Sequence, residues 1–160
     1  MEQLRPARIH DVDDLMRLRI LMFEAMGTPA HQLEAAEWRA AARDWFTAKI
    51  AAGNTHILVV LDGDQVVAGG LAEVLPAIPA PGMPRGRLGF VSNVATLPHA
   101  RGRGLARAVM TELVRWLEEE GDADRIDLAA TSEGAPLYAS LGFTEAAFPT
   151  MRRLAPADAP

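Results

Sequence analysis

The chain has 160 residues, 49% hydrophobic and 23% charged, with a formal net charge of -5; this composition suits one globular domain with a packed core rather than a disordered or fibrous chain. The acidic balance argues against nonspecific affinity for nucleic acid or an anionic membrane surface. Cysteine is absent, which excludes a disulfide frame, a thiol nucleophile and a thiolate metal site. No run approaches about 18 apolar residues and MEQLRPARIH lacks a signal core, so the cytoplasm is the expected compartment.

Leu4 to Ile9 carries a short extended pattern broken by Pro6, and the Asp11 carboxylate is placed to cap a helix running through Leu15, Leu18, Leu21 and Met22. Gly27 and Pro29 end that helix. A second amphipathic run from about Gln32 to Ala52 closes at Gly53, with Trp38, Trp45 and Phe46 on one face and Glu34 and Glu37 one turn apart. The tryptophans either wall a substrate channel or anchor the helix on the core. His56 to Leu61 and Gln65 to Leu75 flank Asp62-Gly63-Asp64 and read as a hairpin. Pro76 to Arg87 holds four prolines and two glycines, so it is either a mobile lid over an opening or a surface insertion.

In Leu88 to Arg107, LGFVSNVATLPHARGRGLAR, an extended run meets a proline and two glycines and then takes up helical spacing. That helix continues through Val109, Leu113 and Trp116 and ends before Gly121. Ile126, Leu128 and Ala130 alternate as a strand, and Ala135 to Leu141 forms a short helix with Pro136 in its first turn and Gly142 just past its end. A hairpin from Phe143 to Leu154 and a frayed tail at 155–160 complete the expected organisation. His10, His31, His56 and His99 lack ligand spacing, so no metal site is expected.

The chemistry belongs at the turn. In Arg101-Gly102-Arg103-Gly104-Leu105-Ala106 the glycines let backbone approach a ligand, and the helix start offers outward N–H groups, which together make an anion cradle. Two permanently charged arginines favour a phosphate guest. A nucleoside triphosphate loop would need a lysine after Gly104, and the only lysine is Lys49. A dinucleotide fingerprint would need Gly or Ala where Arg107 stands.

Arg101, Gly104 and Ala106 in the pattern Arg-x-x-Gly-x-Ala, preceded by Thr96-Leu97-Pro98, resemble the acyl-CoA pyrophosphate loop of the GNAT N-acetyltransferase superfamily. Thr131-Ser132-Glu133-Gly134-Ala135-Pro136-Leu137-Tyr138-Ala139-Ser140-Leu141-Gly142-Phe143 looks like that family's second hallmark. Leu4-Arg5-Pro6-Ala7 with Asp11, and Met151-Arg152-Arg153-Leu154, are similar to how such domains start and finish.

The resemblance implies an α/β (α+β) fold over 1–154: a mixed, mostly antiparallel sheet with helices on both faces, splayed where acyl-CoA enters. It implies acetyl transfer from acetyl-CoA, without metal, to a primary amine by direct attack in a ternary complex. Backbone N–H groups of Gly102, Arg103, Gly104, Leu105 and Ala106 would hold the pyrophosphate while Arg101 and Arg103 screen its charge. Val94, Ala95 and Thr96 would pair with the pantetheine amides as an added strand, and Thr131 would join the cofactor site. The Val94 N–H would polarise the thioester carbonyl, and Tyr138 would serve the leaving sulfur as hydrogen-bond donor or acid, unless its ring only packs. No acid lies between Leu88 and Leu97, which leaves Glu73, Glu34, Glu37 or a water held by Asn93 to take the amine's proton. Glu73 is the best side-chain candidate, standing amid Leu71, Val74 and Leu75, though a strand-end glutamate can equally be solvated. The expected acceptor is a small amine such as a polyamine, amino acid or aminated antibiotic, with no nucleic acid or membrane partner; a homodimer is allowed. An acyl-CoA sensor and a protein N-acetyltransferase are the alternatives.

Overall fold

The computed structural model describes residues 1–155. It comprises two compact units, Met1–Ala129 and a second that begins at Ala130.

The first unit is built on a five-stranded sheet of β1 (Glu2–Pro6), β2 (His56–Asp62), β3 (Gln65–Pro76), β4 (Arg87–Thr96) and β5 (Arg125–Leu128), in the spatial order β1-β2-β3-β4-β5. The first three pairings are antiparallel and β4 with β5 is parallel, as expected of a mixed, mostly antiparallel sheet. The β2–β3 hairpin turns at Gly63, whose φ of 61° is the left-handed value a tight connection requires. Leu58 to Val60 and Val66 to Ala68 are buried without alternation, because helices cover both faces of these central strands.

Two adjacent glycines on β3 show how closely those helices approach. A Cβ at Gly69 would lie 2.7 Å from the Leu58 carbonyl oxygen and 3.3 Å from Leu18, on the face covered by α1 (Val12–Ala25). A Cβ at Gly70 would lie 2.9 Å from Val109 and 3.2 Å from Leu113, on the face covered by α4 (Leu105–Glu119). The helix α3 (Ala36–Ala52) packs beside α1 and ends at Gly53 with φ 69°.

Three expectations are corrected and one open alternative is decided. Asp11 precedes α1, but its carboxylate makes no cap bond to that helix; it accepts the Arg8 N–H at 2.7 Å and two Arg5 donors at 2.7 and 2.9 Å, and the bidentate Arg5 fork turns both oxygens away from the α1 amides. The run 32–52 is broken into α2 (Ala30–Leu33) and α3. Ala35 between them is extended, and the Gln32 and Leu33 carbonyls are taken by Trp38 Nε1 at 2.7 Å and Arg39 Nε at 2.6 Å. The aromatic face is also divided: Phe46 is buried, Trp38 half-buried, and Trp45 exposed with Lys49 Nζ over its ring. Finally, the loop between β3 and β4 is closed at its base by Ala77 N–H to Gly86 O, with Met83 buried and the Arg85 guanidinium bound to Asp122 and Asp124. It is a tied insertion rather than a free flap.

In the second unit α5 (Ala135–Ser140) follows a turn at 131–134. The expected hairpin from Phe143 to Leu154 is absent, since no strand follows β5 among the described residues. Phe148, Met151 and Leu154 are solvent-exposed and Pro149 cannot donate to a ladder, so no packed face rewards strand pairing there. Of the expected tail at 155–160, all but Ala155 lies outside the described residues.

Candidate active site

The central feature is an irregularity in β4. Ala95 pairs with Gly69 and Ser92 with Leu71, so Asn93 and Val94 together oppose the single residue Gly70. This is a β-bulge, which locally redirects the backbone. Asn93 adopts φ 58°, a left-handed conformation that asparagine tolerates better than most residues. Its side chain is buried, and its Oδ1 accepts a hydrogen bond from Arg19 Nη1 at 3.0 Å. Gly70 is needed opposite the bulge, because a Cβ there would also crowd Val94 at 3.2 Å.

On its other edge β4 pairs with β5 only from Leu88 opposite Arg125 to Val91 opposite Leu128. From Ser92 to Thr96 that edge has no strand partner among the described residues. Val94, Ala95 and Thr96 therefore lie on an edge able to take an extended guest by backbone pairing. The same strand leads into a turn fastened by Leu97 N–H to Val67 O at 2.8 Å and a short 3-10 turn at Pro98–Ala100.

Beyond it Gly102 and Gly104 have φ 75° and 79°, and nothing lies within 4 Å of a Cβ built at either. Gly104 is the N-cap of α4, whose first bond runs from Ala108 N–H to Gly104 O. The amides of Leu105 and Ala106 therefore have no intrahelical acceptor. Backbone freedom, open space and oriented N–H groups coincide here, and they fit a pyrophosphate. Arg101 Nε donates to Thr96 O at 3.3 Å. Arg103 turns toward the β1–β2 end of the sheet, bound to Asp62 at 2.8 Å and to Glu2. Its bond holds the Asp62 carboxyl below the usual carboxylate range.

Glu73 is not brought to the bulge. It pairs in register with Phe90 and stands three positions along β3 from Gly70, which faces the bulge, about 10 Å along a strand, and its Oε1 lies 3.1 Å from Lys49 Nζ. Glu34 and Glu37 are exposed at the α2–α3 break. In the second unit the Thr131 hydroxyl accepts the Gly134 N–H at 3.2 Å and the Thr131 carbonyl accepts that of Ala135 at 2.9 Å, so Thr131 builds the entry to α5. The Tyr138 ring meets Phe143 edge-on at 6.2 Å, and burial pushes its hydroxyl above the usual tyrosine value.

Arg19 escaped the sequence pattern, although it stands on the apolar stripe Leu15, Arg19, Met22 of α1 and not on the polar face. The bulge itself leaves no mark in a run as regular as Phe90 to Thr96. Among the described residues no group of three or more His, Asp or Glu side chains is placed to hold a metal ion, and no helix is long and apolar enough to cross a membrane.

The sequence profile of the acetyltransferase (GNAT) family matches residues 14–143. A search of curated proteins finds no match. Among solved structures the chain is similar to a GCN5-related N-acetyltransferase from Ralstonia eutropha, with TM-score 0.85 and 28% identity over 96% of this chain and 99% of that one. It is also similar to a predicted acetyltransferase from Clostridium acetobutylicum whose structure contains acetyl-CoA, with TM-score 0.85 and 22% identity over 96% of each chain. The glucosamine-6-phosphate N-acetyltransferase of Arabidopsis thaliana shares the fold, with TM-score 0.73 and 15% identity over 97% of this chain and 99% of that one.

Proposed function

The chain belongs to the acetyltransferase (GNAT) family, and from that premise we propose that it transfers the acetyl group of acetyl-CoA to the primary amine of a small molecule by direct attack in a ternary complex. The observation that carries this proposal is the continuity of the open β4 edge at 92–96 with the left-handed Gly102–Gly104 turn and the start of α4.

In this proposal acetyl-CoA supplies an activated acyl group whose departing thiolate is a better leaving group than an amine. The α4 amides at Gly104, Leu105 and Ala106 bind its pyrophosphate, and the Val94–Thr96 edge pairs with its amides and sets the depth of the thioester. Val94 N–H donates toward the carbonyl oxygen as negative charge develops there, a role worth about 3 kcal/mol for one well-placed donor. As the new C–N bond forms and the C–S bond breaks, the nitrogen's proton passes to water, since no carboxylate lies on β4 between Leu88 and Leu97. Tyr138 is assigned to the sulfur by its motif. The raised value of its hydroxyl suits it to donate a hydrogen bond rather than to give up its proton.

Thermal-shift titrations with acetyl-CoA, free CoA and ATP test the cradle, because a ligand of the folded state raises the melting temperature. Shifts with both CoA species and none with ATP are expected. Thiol release from acetyl-CoA across an amine panel then tests transfer. Tight binding with no turnover on any amine would instead make the protein an acyl-CoA sensor.

A further inference from the structure

Arg19 is the charged group whose environment the acetyl-transfer scheme leaves unexplained. It extends from α1 to the bulge, where Nη1 bonds Asn93 Oδ1 at 3.0 Å and the guanidinium carbon sits 4.9 Å from the Phe23 ring centroid. Its Nε is buried without a hydrogen-bond partner, and no carboxylate among the described residues pairs with it. Other arginines near the sheet are matched: Arg5 by Asp11, Arg85 by Asp122 and Asp124, Arg103 by Asp62 and Glu2. A half-buried cation with one neutral partner is costly for folding alone. Desolvation is the one influence that shifts its proton affinity, and it lowers it.

We propose that Arg19 binds an anionic group of the acceptor, so that the acceptor is an amine bearing a carboxylate. Asn93, which Arg19 touches, shares its peptide bond with the Val94 nitrogen. An anion held by the guanidinium therefore sits beside the proposed oxyanion donor, a placement suited to a molecule whose amine and carboxylate are close together, such as an amino acid. With Nη1 engaged and Nε closed to solvent, Nη2 is the guanidinium donor left to meet a carboxylate oxygen. A single unpaired cation balances one negative charge; a phosphate dianion would leave charge uncompensated. The neighbouring pair of Lys49 and Glu73 is already neutral as a unit. This inference rests on the transferase proposal and deepens it by naming the acceptor class.

The test compares common α-amino acids with their amides as acceptors in thiol-release assays, for the wild type, Arg19→Gln and Arg19→Lys. Arg19→Gln keeps a donor for Asn93 without the charge. The expected result is that wild type prefers the carboxylate form and that the ratio of kcat/KM for acid over amide falls about 10- to 100-fold in Arg19→Gln, with Arg19→Lys intermediate and the loss carried by KM. Equal losses on acid and amide would make Arg19 only a positioning residue for the bulge and overturn the proposal. So would a wild-type preference for amides or for O-phosphoethanolamine. Titration with N-acetyl amino acids and their amides, read as melting-temperature shifts, separates this from failure of transfer. Shifts by the acids that Arg19→Gln abolishes sustain the Arg19 site even without turnover, and neither turnover nor shift with any acid overturns it.

Discussion

Lys49 Nζ lies 3.1 Å from Glu73 Oε1, joining the chain's only lysine to the glutamate with the best claim to be a general base. A base must come within hydrogen-bond reach of its proton, directly or through one water, and the register sets Glu73 opposite Phe90 instead of at the bulge. Glu73→Gln is therefore expected to change kcat/KM by less than about 3-fold and to leave the acidic limb of the pH profile in place. A loss of about 100-fold with that limb abolished would make Glu73 the base after all.

Under the proposed mechanism the Tyr138 hydroxyl is assigned to the departing sulfur alone, so Tyr138→Phe should lower kcat with little change in acetyl-CoA affinity. Its folded value lies above the ordinary tyrosine value, so the donor form persists at neutral pH and is lost as pH rises through that raised value. The alkaline limb is expected above about pH 10. Unchanged kcat in Tyr138→Phe would leave the ring a purely packing role against Phe143.

At Gly104, Ala and Glu substitutions separate backbone strain from ligand exclusion. Nothing lies within 4 Å of the Cβ position, but φ is 79°, so Gly104→Ala should destabilise by about 1 kcal/mol through conformation alone. Gly104→Glu adds a negative charge at the cradle and should abolish the acetyl-CoA thermal shift. Retention of that shift would remove the pyrophosphate from this turn.

Gly70→Val is expected to destabilise more than Gly104→Ala, by about 1–3 kcal/mol in denaturant titrations. A Cβ there would meet Val109 at 2.9 Å and Val94 at 3.2 Å, forcing α4 and the bulge apart. A variant as stable as wild type would mean that the sheet yields freely at this point.

The Arg5–Asp11 pair links stability to acid pH. Burial pushes the Asp11 carboxyl up, but the Arg5 fork and the Arg8 N–H outweigh it and hold the folded value below the ordinary one. A depressed folded value contributes stability that is present above the unfolded value, near pH 4, and lost as pH falls through the folded value. Melting temperature should fall more steeply below about pH 4 in wild type than in Asp11→Asn. At neutral pH that variant should cost about 1.5–3 kcal/mol, because Arg5 keeps the Pro6 carbonyl but loses its charged acceptor. Parallel acid profiles would show that Asp11 titrates alike in both states.

The local signals carried far. Gly63 between two apolar runs gave the β2–β3 hairpin, Gly53 ended α3, and the paired glycines at 102 and 104 announced a tight turn before a helix, because each depends on backbone geometry that few residues can adopt. The family likewise follows from motifs written in consecutive residues. What needed the tertiary structure were relationships made across the chain: the Arg5 fork that takes Asp11 from α1, the Trp38 and Arg39 side chains that close α2, and the pairing of Glu73 with Lys49. The same holds for the bulge, where one strand carries an extra residue relative to its partner, and for Arg19, whose missing counter-charge can be recognised only after all its neighbours are in place. Local conformation is chosen by each residue's own sterics, whereas the partner of a charge or the register of a strand is chosen by competition among groups distant in sequence.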